Sequence, residues 1–275
     1  MPNESTDQYL LGATPAETRR LQAQGRLFAA SSDRLLRLAG IRPGMRVLDI
    51  GCGAGDLTMQ IASIIEESGQ VTGVDADAAV LAVARERAAE AGLANVDFRQ
   101  AHVPDLALDG PVDAIAGRMI LMHLENPAAA LGAMRRLLGP GGVLTFQEVR
   151  LTSVRSIPPV PLLAQCVAWA SQAFTASGRD PDTGQRLLSV FGDAGLPVPE
   201  MMAAIPTARG PAAYALAAGS IISLLPVLEK ANITTREEVD PDTLAKRLWE
   251  QARADDALLM LPELISAWTQ VPAAR

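Results

Sequence analysis

Two carboxylates and three closely spaced glycines carry the strongest chemical signal in this 275-residue chain, in Val47-Leu-Asp-Ile-Gly-Cys-Gly-Ala-Gly-Asp56. The apolar run reaching Ile50 predicts a buried parallel strand. Gly51, Gly53 and Gly55 let the backbone turn sharply where a ligand must come close. A second apolar run, Val71-Thr-Gly-Val-Asp75, ends in a carboxylate about 20 residues on, the place from which an acid accepts ribose hydroxyl hydrogens. Strand, glycine turn, helix and second strand together point to a nucleoside-containing cofactor held by Asp49, Gly51, Cys52, Gly53, Asp75 and Ala76.

The details of the turn decide which nucleoside. A dinucleotide site wants a third glycine three residues after the second, so that a pyrophosphate can sit on the helix N-terminus. Asp56 holds that position, and Asp49 adds a second negative charge to the same mouth. A diphosphate would be repelled and a cation attracted. S-adenosylmethionine carries a sulfonium, an ammonium, a ribose and no phosphate, so its chemistry matches the residues offered.

Further phrases extend the pattern: Asn95-Val-Asp-Phe-Arg-Gln100, Val112-Asp-Ala-Ile-Ala-Gly-Arg118, Leu121-Met-His-Leu-Glu-Asn-Pro127 and Leu137-Leu-Gly-Pro-Gly-Gly-Val-Leu144. In this ordered set, over roughly residues 40 to 150, the chain resembles the class I S-adenosylmethionine-dependent methyltransferases. The likeness is strongest to their small-molecule branch, which includes the quinone-biosynthesis C-methyltransferases. The resemblance implies a doubly wound, mostly parallel seven-stranded α/β sheet and S-adenosylmethionine as cofactor. It places Asp49 near the methionine end, Asp75 on the ribose, and His102 with Val103 beside adenine. The family usually has Asp where His102 stands; a neutral imidazole can also accept a hydrogen bond from the adenine amino group. The Gly-Arg-Met at the fourth strand's exit lacks the Asn/Asp-Pro-Pro-aromatic motif of methyltransferases that act on nucleobase amines.

Methyl transfer asks chiefly for alignment and the exclusion of water, because a sulfonium methyl is already a strong electrophile. A general base is needed only when the nucleophile cannot lose its proton alone. His123 is the candidate catalytic base, with an ordinary pKa suited to proton transfer near neutrality, and packing or helix capping is its alternative role. Arg118 is placed to approach the methionine portion or an acidic substrate, or else to form a structural salt bridge. Tyr9 and Gln24 are candidates to close over the cofactor, although Tyr9 can equally anchor the chain end. Glu148 either faces the substrate or stands exposed at a strand edge. Trp169, Phe174, Met201 and Met202 form either an apolar substrate wall or ordinary core.

The elements that must position these groups follow from periodicity. Leu21, Leu27, Phe28, Leu35, Leu36 and Leu38 recur at helical spacing up to Gly40 and predict a helix over the sheet edge or the cofactor. Strands near 45–50, 71–75, 95–99, 112–116 and 142–148 alternate with helices, the pattern of a doubly wound sheet. The proline-rich Ile157-Pro-Pro-Val-Pro161 ends the fifth strand, and helices follow over 162–177 and 184–194. Gly195 to Ile205 reads as a sixth strand, which its prolines confine to an edge or a late start. Residues 211–253 read as a helical insertion, and Leu258 to Trp268 as a seventh, antiparallel strand. Three parts result: an N-terminal helical cap at 1–40, a cofactor-binding core at 41–150, and a part at 151–275 that completes the sheet and adds a helical substrate lid.

Composition narrows the partners. Net charge is −7 with two lysines, Lys230 and Lys246, and no basic run. Neutralising phosphates needs clustered cations, so nucleic acid is a poor substrate. The two cysteines and two histidines are scattered without metal-ligand spacing, and no metal is expected. A disulfide at Cys52 would distort the glycine turn, which implies a reducing compartment. The first residues show neither the basic region nor the apolar run of a secretory signal, so the expected location is cytoplasmic. Ala212 to Leu228 is apolar but interrupted by Gly219, Ser220, Ser223 and Pro226, and reads as a buried lid helix, not a membrane span. The expected partner is a small-molecule substrate, with no nucleic acid and no membrane; a homodimer is left open.

The reading is methylation of a small, largely apolar metabolite, at oxygen or carbon in preference to nitrogen. The alternative keeps fold and cofactor but uses the bound cation and a shaped pocket to promote cyclisation without methyl transfer. A third reading, a cofactor-binding subunit that activates another protein, is opposed by the intact glycine turn and the lid.

Overall fold

Strand β1 (Arg46–Ile50) follows helix α1 (Pro15–Leu38) and lies mid-sheet, four of its five residues buried, because alternate side chains are apolar on both faces. The computed structural model describes residues 15–102 and 108–272. After β1 come α2 (Asp56–Ile65), β2 (Gln70–Asp75), α3 (Ala78–Glu90), β3 (Val96–Gln100), β4 (Val112–Arg118), α4 (Pro127–Met134) and β5 (Leu138–Arg150). The chain continues through β6 (Arg155–Ile157), α5 (Pro161–Ala176), α6 (Leu187–Asp193), β7 (Glu200–Ala204), β8 (Thr207–Ala208), α7 (Pro211–Lys230), α8 (Arg236–Val239), α9 (Leu244–Ala254), β9 (Leu258–Met260) and β10 (Glu263–Gln270).

The main sheet has seven strands in the order β3-β2-β1-β4-β5-β10-β7. β1 to β5 run parallel, and β10 lies antiparallel between β5 and β7. The expected doubly wound, mostly parallel seven-stranded sheet is therefore present. Val47 packs with Leu57, Ile61 and Ile65 of α2 on one face, while Leu48 and Ile50 pack with Leu144, Phe146 and Phe191 on the other. That division is the period-two consequence of strand geometry. Helix ends are specified locally: Asp77 accepts the Ala79 N–H at 2.7 Å to start α3, and Asn126 accepts that of Ala129 at 2.9 Å before the Pro127 that opens α4.

Two expectations change in detail. The run from Leu258 to Trp268 is two strands and not one, broken at Leu261-Pro262, where the Leu261 N–H turns aside to Pro206 O at 2.9 Å. β9 joins a second, three-stranded sheet in the order β6-β9-β8, which sequence periodicity did not announce. The fifth strand ends at Arg150, short of the prolines, and β6 leads into them. The sixth strand starts late, at Glu200, and lies on the sheet edge, as its prolines required.

Helices α5, α7 and α9 form an apolar layer of their own over the strand ends. Pro211–Lys230 is the one helix among the described residues that is long and apolar enough to cross a membrane by length and composition. Here Tyr214, Leu216, Ile221, Leu224 and Leu228 face the lid interior. The Tyr214 hydroxyl, wholly buried, donates to Ala257 O at 3.2 Å, which avoids the about 1–3 kcal/mol cost of an unpaired buried hydroxyl. Trp249 of α9 stacks at a tilt on its ring, centroids 6.1 Å apart.

Candidate functional site

The glycine turn leaves β1 with Gly51, Gly53 and Gly55 at φ of 66°, 53° and 82°, all in the left-handed region. A Cβ on Gly51 would lie 2.6 Å from Ile120 Cδ1, whereas one on Gly53 would meet open space. Gly53 therefore presents bare backbone to the cavity, and its N–H donates to Asp75 Oδ2 at 2.9 Å. Asp75 Oδ1 accepts from the Asp77 N–H at 3.0 Å. Two backbone donors fix this half-buried carboxylate at the tip of β2, and burial holds its pKa above the usual carboxylate range despite them.

Asp49 is buried beneath the turn, 1% exposed. Its Oδ2 accepts the Thr58 hydroxyl of α2 at 2.6 Å, while Oδ1 has no hydrogen-bond partner. Burial pushes its pKa from 3.8 up to about 7, against the opposing pull of the Thr58 bond and the Arg118 charge. An orphaned oxygen on a buried acid is costly unless something completes it. A cation in the mouth would do so and would restore the carboxylate.

Asp56 is not the free charge that the sequence suggested. Arg87 of α3 pairs with it at 2.8 Å and also donates to Ala54 O, so the repulsion expected between Asp56 and a diphosphate is reduced. Hostility to phosphate then rests chiefly on Asp49, since an acid in the place of Asp75 also serves dinucleotide sites. Cys52 is buried in the turn, its thiol pushed far up by burial, and both Cys52 and Cys166 are free. Ala76 and His102, both exposed, line the same cavity. Val103 and Tyr9 lie outside the described residues.

Arg118, at the end of β4, donates to Ser32 Oγ at 3.0 Å. Ser32, on α1, donates to Gln147 Oε1 at 2.6 Å, and Gln147 Nε2 donates to Ser266 Oγ at 3.0 Å. The structural salt bridge considered for Arg118 is thus replaced by a buried polar relay tying α1, β4, β5 and β10 together. Burial lowers the guanidinium's pKa, while the Asp56 and Asp49 charges act to raise it. Gln24 of α1 donates to Met119 Sδ at 2.9 Å and accepts from Arg20, which also reaches Ser220 of α7 at 3.4 Å. α1 therefore spans from cofactor mouth to lid.

His123 closes a 3-10 turn, Leu121–His123, with its ring 6.2 Å from that of Phe174. Its environment corrects the expected neutral-range titration: burial, with the Arg179 and Arg20 charges adding, lowers the pKa to about 3. The ring is neutral at pH 7 and a weak base. Nor does it cap α4, a task Asn126 performs. Glu148 is neither substrate-facing nor exposed; it is wholly buried. Phe174 lines the cavity, but Trp169 fills the lid core, Met201 is exposed on the edge strand, and Met202 packs beneath the sheet.

One cavity of about 1500 Å³ joins these parts. It runs from the glycine turn, past Arg118, Met119 and His123, into a chamber walled by Phe28, Leu163, Cys166, Phe174, Leu224 and Leu261. Ser32, Thr58, Gln147 and Arg20 were missed in the sequence. Ser32 alone left a signal there, a polar residue on the apolar stripe between Phe28 and Leu35.

These residues fit S-adenosylmethionine: a buried acid with an unfilled oxygen at one end of the turn, open backbone at Gly53, and an anchored acid at the other end. Among the described residues no group of three or more His, Cys, Asp or Glu side chains is placed to hold a metal ion. The model for the methyltransferase domain matches residues 41–195, and the chain belongs to that family, as an S-adenosylmethionine-dependent enzyme of the class I fold. The ubiquinone/menaquinone biosynthesis C-methyltransferase of Shewanella pealeana is 41% identical over 112 residues, 40% of this chain and 45% of that protein. The chain thus spans about half the length of such relatives. A SAM-dependent methyltransferase from Aquifex aeolicus has a TM-score of 0.54 at 21% identity, over 70% of this chain and 92% of its own. The [4+2]-cyclase SpnF gives 0.52 at 20%, over 88% and 81%. At these identities the two structures establish the fold alone.

Proposed function

We propose that this chain transfers the methyl group of S-adenosylmethionine to oxygen or carbon of a small, largely apolar metabolite by in-line displacement. The observation that carries the reading is the continuity of the cavity: Asp49, buried beneath the glycine turn, lines the same space as the apolar lid chamber. When bound, the cofactor supplies a methyl already activated by its sulfonium. Asp49 would complete its hydrogen bonding on the cationic methionine end, and Asp75 would hold the ribose hydroxyls. The lid helices exclude water, and the Ser32–Gln147 relay fixes Arg118 at the junction of mouth and chamber.

His123 keeps its ring neutral, so it serves as a hydrogen-bonding group in the wall and not as a strong proton acceptor. That environment suits a nucleophile acidic enough to arrive deprotonated, as an enolate or phenolate is, and disfavours an unactivated alcohol. Incubating the protein with methyl-labelled cofactor and a panel of apolar phenols, enols and amines tests the reading. Label in an oxygen- or carbon-methylated product, with stoichiometric S-adenosylhomocysteine, is expected. Conversion of an acceptor without label or S-adenosylhomocysteine would replace it with the cyclase reading.

A further inference from the structure

We propose that Glu148 is a positioning residue that fixes the wall shared by the methionine end of the cofactor mouth and the acceptor chamber. The inference rests on the cofactor reading above and gives a task to a side chain that lines neither space. Glu148 Oε1 accepts the N–H groups of Ile120 at 2.9 Å and Leu121 at 2.7 Å, and Oε2 accepts that of Met122 at 3.3 Å. Three successive amides of an irregular turn converge on one carboxylate that is 0% exposed. Among the described residues no cation lies within ion-pair distance of it. A buried acid without a cation is costly, and its backbone partners would themselves be orphaned without it, so carboxylate and turn hold each other.

The turn it holds is an unfavourable one. Met119, just before it, has φ of +54°, the left-handed region that non-glycine residues avoid, and its N–H donates to Gln147 O at 2.7 Å. Such a conformation persists where the surroundings over-determine it. Three side chains leave this short segment for the site. Ile120 packs against Gly51, Met119 accepts from Gln24 of α1, and His123 faces Phe174. Releasing the clamp therefore moves the mouth wall and the chamber wall together. Because β4 flanks β1 on the side opposite β2, that wall belongs to the end of the mouth away from Asp75.

The topology supplies a test that needs no acceptor. Calorimetric titration of wild type and Glu148→Gln with S-adenosylhomocysteine and, separately, with adenosine compares a ligand that reaches the clamped wall with one confined to the Asp75 side. Gln keeps one acceptor oxygen but sets an amide donor against the Met122 N–H. S-adenosylhomocysteine binding should weaken about tenfold while adenosine changes by less than about twofold. Hydrogen exchange of the 119–123 amides should accelerate with that of β1 unchanged. Glu148→Asp, which keeps the charge but shortens its reach, should show the same split and serves if the first variant does not fold. Both ligands unchanged, or both weakened by one factor, overturns the positioning role. A wild type that binds neither ligand removes the cofactor reading and this inference with it.

Discussion

Asp75 and Asp49 stand at opposite ends of the glycine turn, and each calls for a different polar part of the cofactor. Asp75 is preoriented by two backbone donors, and in the proposed binding mode its carboxylate accepts the ribose hydroxyls. Asp75→Ala should weaken S-adenosylhomocysteine binding at least about tenfold by calorimetry; unchanged affinity would reject the ribose role. Asp49 and Glu148 both have pKa values raised by burial, from 3.8 and 4.5 to about 7. Acids whose folded pKa is raised stabilise the fold below their ordinary values and lose that contribution as pH climbs through about 7. Thermal midpoints of the cofactor-free protein should accordingly fall between about pH 5 and pH 8. Cation binding favours ionised Asp49, so the midpoint gain on adding S-adenosylmethionine should grow over the same range, and Asp49→Asn should flatten that growth. A gain independent of pH in wild type would remove Asp49 from the cationic end. For His123, the pKa near 3 leads to a negative expectation: His123→Ala keeps cofactor affinity, and any inflection of the rate near neutrality, which belongs to Asp49, survives the mutation. A rate profile that loses such an inflection on mutation would restore the general base.

At the scale of elements, α1 is the strap that joins mouth to lid. It passes so close to the turn that a Cβ on Gly25 would lie 2.6 Å from Asp56 Cγ, and Asp56 is itself held by Arg87. Replacing a mid-helix glycine with alanine ordinarily stabilises by about 1 kcal/mol, but here the clash should win. Gly25→Ala is expected to lower the melting temperature and weaken S-adenosylhomocysteine binding; a rise in both would show that α1 has room to shift. The strands β1 to β5 and the glycine turn were legible in the sequence because their signals are local: continuous apolar runs, left-handed glycines, and an acid at the end of β2. The β6-β9-β8 sheet was not, since strands of two or three residues carry no periodicity and their pairing joins segments about 50 to 100 residues apart in a chain of this size. The same reason hid the site's support. Arg118, Ser32, Gln147 and Ser266 meet only after four elements pack, and the burial that displaces the His123 pKa is a property of the lid. Asp56 illustrates the converse error, a charge read correctly whose partner Arg87 comes from another helix.

The whole molecule sets a charged, backbone-lined mouth at the carboxyl ends of β1 and β2 against an apolar chamber roofed by α5 and α7. On the proposed reading, reaction at the junction would be governed by placement: the lid would order an apolar acceptor and the turn the donor, with Met119 and His123 in the wall between them. The claim on which this arrangement depends is that the mouth takes a cationic adenosyl compound and refuses a diphosphate. Parallel calorimetric titrations of the purified protein with S-adenosylmethionine and with NAD test it most directly. Saturable, one-to-one binding of S-adenosylmethionine with no measurable heat from NAD is the predicted result; tighter binding of NAD would contradict the account at its root.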